Sequence, residues 1–102
     1  MSASGLPQAT DNVIQSVDIA LVGGVAVSIP YTESVRQGDV IHLWWDGRLI
    51  ATKIISYPNQ EFPVVFLIPD ELTKIGQYLI WYDRVDSFRN VASSDPVTVT
   101  IE

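Results

Sequence analysis

The chain has 102 residues, a net charge of -6 and hydrophobic residues at 47% of its length, which fits one domain with one modest core and is too apolar for a disordered segment. The acidic balance and the scatter of its six basic residues leave no basic patch, which argues against a general affinity for nucleic acid or an anionic membrane, so no nucleic-acid partner is expected. Without cysteine there is no disulfide, thiolate metal site or cysteine nucleophile, and no apolar run reaches the ~18–20 residues of a membrane-inserted helix.

The opening "MSASGLPQATDN" (1–12) is rich in small and turn-forming residues without periodicity. It reads as a flexible tail or linker, with no basic or apolar region of a secretory signal. Residues 13–102 read as a single domain. "VDIALV" (17–22) is a strand-length apolar run ended by Gly23-Gly24, and "VAVSIPY" (25–31) follows. "TESVRQGD" is a loop leading into "VIHLWW" (40–45). Asp46-Gly47 then marks a two-residue type I′ hairpin, a turn that needs positive φ at both central positions. "RLIATKIIS" (48–56) is rich in β-branched residues, "YPNQEFP" punctuates, and "VVFLIP" (64–69) is another strand. "DELTKIG" (70–76) suits one helical turn with Asp70 as N-cap and Gly76 as stop. "QYLIWYD" (77–83) is a strand, "RVDSFRN" (84–90) is turn-like, and "PVTVTIE" (96–102) alternates to the end. Short strands between Gly, Pro and Asp loops, with no amphipathic helix of ten residues, predict an all-β sandwich; an up-and-down barrel is the competing architecture.

The order of these motifs resembles bacterial immunoglobulin-like domains. "GDVIHLWWDGRLIATKI" resembles their B-strand, turn and C-strand, and "FPVVFLIPDELTKIGQYLIWYD" the section that ends in the F-strand. "DRVDSFRNVASSDPVTVTI" is similar to the closing segment, and "GGVAVSIPYTESVRQGD" to repeats of large bacterial surface and adhesin proteins. Two departures are Arg89, where the family often has Gly, and the heavy Trp44-Trp45 pair. The resemblance implies an immunoglobulin-like β-sandwich of about seven antiparallel strands in two sheets. It also implies a non-catalytic module for protein contact or structural spacing, and a cell-surface or extracellular setting. In that topology the B and F strands lie in different sheets, which sets Trp44 and Trp81 on opposite faces as two small patches.

The residues themselves give little catalytic chemistry. His42 is the lone histidine, alternates with Ile41 and Leu43, and has no nucleophile motif near it, so it reads as a solvated strand residue. Asp83, Asp86 and Asn90 share one loop and are weak calcium candidates, without EF-hand spacing. "VGGV" has no phosphate-loop spacing. No cofactor is expected.

The aromatics say more. The two-residue period puts Ile41, Leu43 and Trp45 on one face of their strand and Val40, His42 and Trp44 on the other. In 77–83 it separates Tyr78, Ile80 and Tyr82 from Leu79 and Trp81. The period does not say which face is inner; the resemblance implies that the first set in each strand is the core. Val40, His42, Trp44, Leu79 and Trp81 are therefore the binding or interface candidates. Either they meet a partner, or a neighbouring loop, the N-terminal segment or Lys and Arg stems such as that of Lys53 cover them. A protein partner or self-association is one reading; a carbohydrate-binding module using exposed aromatics is the alternative.

Overall fold

The computed structural model describes residues 4–102 and is mostly β. In chain order the elements are β1 (Val13–Ile14), α1 (Ser16–Val22), β2 (Gly24–Ile29), β3 (Val40–Trp45), β4 (Arg48–Ile54), α2 (Pro58–Glu61), β5 (Val64–Pro69), a 3-10 turn (Asp70–Leu72), β6 (Gly76–Val85), β7 (Val91–Ser93) and β8 (Val97–Ile101). One sheet has the order β1-β8-β6-β3-β4, with β7 also pairing β6; the other is β2 paired with β5. The core lies between them. Val25, Val27, Ile29, Val64 and Ile68 come from the small sheet, and Ile41, Leu43, Trp45, Ile80, Tyr82, Val99 and Ile101 from the large one.

The β3–β4 hairpin forms as its sequence dictates. Asp46 (φ 52°) and Gly47 (φ 86°) carry the positive φ of the turn, and Trp45 pairs with Arg48. A register shift between Leu43 and Trp44 leaves Ile50 as an extra residue of β4, so that Ile50 and Ala51 both pack on the core while Leu49 faces out.

Several expectations are corrected. Residues 17–22 belong to α1 and not to a strand. A continuous apolar run has no period to separate helix from strand, and Gly23 at φ 91° closes the helix by donating its N–H to Ile19 O. The helix carries the chain from the large sheet, where β1 ends, to the small one. Of the α1 residues only Ile19 is buried.

Of the expected tail, residues 4–12 make specific bonds to the rest of the fold, and residues 1–3 lie outside the described residues. Gly5 exchanges two backbone hydrogen bonds with Ser28 at 2.7 and 2.9 Å. The Gln8 side chain accepts from Ala26 N (2.8 Å) and donates to Gly24 O (3.0 Å), doing for the edge of β2 what a neighbouring strand would do. Leu6 and Ala9 pack against the core.

The strands are also not uniformly antiparallel, since β1 runs parallel to β8. Asp70 lies inside the 3-10 turn with no side-chain cap, and Gly76 opens β6. The β6–β7 turn holds Arg89 at φ 64°, the left-handed conformation that glycine adopts most easily.

Candidate functional site

The largest correction concerns the tryptophans. β3 and β6 are hydrogen-bonded neighbours in one sheet, and Trp44 and Trp81 are direct cross-strand partners. Their rings stack at 5.8 Å with planes 6° apart. The two expected patches on opposite faces are therefore one patch. The resemblance had labelled 40–45 as the strand that belongs to the opposite sheet. In the structure 40–45 instead pairs directly with β6 in the same sheet.

Pairing and parity build the outer face of the large sheet in rows. The first row is Ile54, Val40, Val85 and Val91 across β4, β3, β6 and β7. The second is Thr52, His42, Asp83 and Ser93. The third is Leu49, Trp44 and Trp81, and Leu79 beside Thr98 makes the fourth. All five interface candidates lie on this face. Ile54 (63% exposed), Val91 (62%), Leu49 (46%) and Leu79 (39%) stand open, while the two tryptophans are half-buried against each other.

The polar row ties the face together. Trp44 Nε1 donates to Asp83 Oδ2 at 2.8 Å, and Ser93 Oγ donates to Asp83 Oδ1 at 2.7 Å. His42 Nδ1 lies 3.2 Å from Thr52 Oγ1. Asp83 therefore fixes the indole orientation by a charge-assisted bond.

Lys53 and the described part of the N-terminal segment, two of the covers suggested by sequence, lie elsewhere. Lys53 is opposite Ile41 on the core side of β4 and pairs with Glu61 at 3.3 Å. Gly5 and Gln8 bond to β2 of the small sheet, while Thr10 bonds to β1 and Asn12 O accepts from Thr100 N along the edge of the large one. Glu61 accepts the N–H groups of Tyr57 (2.8 Å) and Ser56 (2.7 Å). The bond from Tyr57, then that from Ser56, and Lys53 together hold its carboxyl below the ordinary range against the opposing cost of desolvation.

The three calcium candidates are not gathered around a common point. Asp83 serves Trp44 and Ser93. Asp86 caps its own turn, accepting from Phe88 N and Asn90 N at 2.9 Å each and from Asn90 Nδ2 at 3.2 Å. Among the described residues no three His, Asp or Glu stand together as a metal-holding group.

The backbone bond from Asn90, ahead of that residue's side-chain bond and the bond from Phe88, holds the Asp86 carboxyl below its ordinary value of 3.8. Its folded-state value is thus lower than its unfolded one. The stability this contributes is complete at neutral pH and is lost as pH falls through the folded value. The gap in urea midpoint between wild type and Asp86→Ala is accordingly expected to narrow below about pH 4. A gap that stays constant down to about pH 2.5 would contradict this.

The polar centre that the sequence reading missed is Asp39 with Arg84. Asp39 is buried, accepts Arg36 N at 3.0 Å and lies 3.7 Å from Arg84 Nε. Arg84 also donates to Thr32 and Ser34, pinning the loop before β3 to the end of β6. Only the Gly-Asp motif hinted at it. These bonds give it a structural role.

His42 lies outside both of the best-formed clefts. One is about 200 Å³, between α1 and residues 70–75, and the other about 260 Å³, beside α2. Ligand pockets are ordinarily roughly 300–1,000 Å³. No described helix is long and apolar enough to cross a membrane. No protein-family model, curated protein or solved structure matches the chain.

Proposed function

We propose that the chain is a non-catalytic, immunoglobulin-like module that makes protein contacts or spaces other domains, in a bacterial surface or adhesin-type system. The motif order across residues 18–102 supports the family and its setting. The fold assignment is supported by the facing sheets: a five-strand path whose first member runs parallel to the last strand, opposite an antiparallel pair. The observation that carries the contact reading is the outer face of the large sheet. Aliphatic and aromatic rows flank one hydrogen-bonded polar row, and Lys53 and residues 4–12 leave it open.

The stacked tryptophans also suit sugar stacking, with Asp83 beside them as an acceptor, and this supports the carbohydrate alternative. One face of each ring is spent in the stack, which leaves less platform for a pyranose.

A photo-reactive phenylalanine analogue at Leu79, irradiated in the producing cell, is expected to form protein adducts that the same group at Glu71 does not. No adduct from positions 79, 49 and 91 would overturn the contact reading. Binding on a glycan array that is lost in a folded Trp44→Ser variant would transfer the face to the carbohydrate reading.

A further inference from the structure

We propose that the partner of this face is a second copy of the same chain, seated across a two-fold axis that runs parallel to the strands between β3 and β6. The proposal rests on the protein-contact reading above and names its partner.

The pattern of the face is self-complementary about that axis and not about the alternative. A two-fold axis along the strands keeps every row on itself and exchanges the two halves. It sets β3 over β6 of the second copy, and β4 over β7. Val40 then faces Val85, Ile54 faces Val91, Thr52 faces Ser93 and Trp44 faces Trp81. In the polar row His42 faces Asp83, and Asp83 faces His42. An axis across the strands would instead stack Asp83 on Asp83 and lay the aliphatic row over the tryptophans.

Charge supports the same occupant. The chain carries a net charge of -6, yet the outer rows of β4, β3, β6 and β7 hold one carboxylate, Asp83. Each oxygen of Asp83 accepts one bond within the chain, which leaves lone pairs for an imidazole N–H from the second copy. Most of the repulsion between two acidic chains therefore lies away from the contact.

Area fits a weak, transient dimer. With strands ~4.8 Å apart and a rise of ~3.3 Å per residue, the residues of β4, β3, β6 and β7 make roughly 400 Å² per copy. The pair buries roughly 800 Å², in the range of weak and transient contacts. Face-to-face sheets pack ~10 Å apart with strands about 30° from parallel, so register is closest at the central rows nearest the axis.

Sedimentation equilibrium tests this. The wild type is expected to pass from monomer to dimer with a dissociation constant on the order of 100 μM. Val40→Lys alone and Val85→Asp alone are each expected to stay monomeric over the same range, with unchanged circular dichroism. An equimolar mixture of the two is expected to recover the dimer, because position 40 of one chain meets position 85 of the other. Amide shifts of the wild type on dilution, gathered on residues 40–44 and 79–85, give a readout that needs no variant. A dimer unaffected by either substitution, or a mixture that stays monomeric, would overturn the proposal. A wild type monomeric at about 1 mM, far above the estimated constant, would also overturn it. The contact reading itself would then stand or fall on the cross-linking experiment, whose adducts would carry a foreign mass.

Discussion

Gly24→Ala is expected to destabilise the domain by about 3 kcal/mol, the upper end of the ordinary cost of overpacking. A Cβ at this position would lie 2.0 Å from Ile68 O and 2.9 Å from Ile68 C. Both are backbone atoms of the paired strand, so no rotamer change relieves the clash. β2 and β5 are the whole of the small sheet, and Gly24 pairs with Pro69 at its end. Moving them apart pulls Val25 and Ile68, both fully buried, out of contact with the large sheet. It also strains the bond from Gln8 to Gly24 O. For a domain of this size the loss corresponds to a fall in Tm of about 15 °C. Gly5→Ala is the control, because its Cβ would meet Ser28 Cβ at an ordinary 3.5 Å, and it is expected to change stability by less than about 0.5 kcal/mol. Thermal melts of both variants check the pair. A loss below about 1 kcal/mol for Gly24→Ala would mean that the strands yield more readily than a packed sheet should.

The same strand shows where local sequence stops informing. The Gly23-Gly24 pair reads as a turn, and Gly23 does close a helix. Nothing in the neighbouring residues says that Gly24 lies against Ile68 O, because that neighbour is 44 positions away. The β3–β4 hairpin was legible for the opposite reason: its two-residue turn and its alternation are both local. Parity within β3 and β6 was legible too, since a two-residue period assigns faces without reference to partners. Which strands then become neighbours is a non-local choice, made by how the whole core closes. The period grouped Val40 with His42 and Trp44, and Leu79 with Trp81, while the inner face was what the resemblance implied, and the convergence of the two groups on one face could not be read. The helix α1 was lost to ambiguity of a different kind, an apolar run of uniform character. The anchoring of residues 4–12 depends on Gln8 acting as a strand partner, a role that composition does not signal.

Trp45→Ala is expected to cost about 3–5 kcal/mol, and Trp44→Ala only about 1 kcal/mol. The two residues are adjacent and chemically identical, so the contrast isolates environment. Trp45 is 3% exposed, donates Nε1 to Leu72 O at 3.1 Å and stacks on Tyr78 at 4.6 Å. Removing it opens a cavity between the sheets and frees the 3-10 turn from the hairpin. It also leaves a partly buried carbonyl without its donor. Trp44 loses the stack on Trp81 and the bond to Asp83, but both partners are within reach of water and Asp83 retains Ser93. Urea unfolding of both variants, read by far-UV circular dichroism so that the lost fluorophore does not bias the signal, measures the difference. Equal losses would mean that the outer face is as well packed as the core, and the contact reading would lose its footing. Unequal losses mean that folding needs only one of the two tryptophans. The indole of Trp44 is then held in a fixed orientation on an open face at little benefit to stability, and what its removal should change is association.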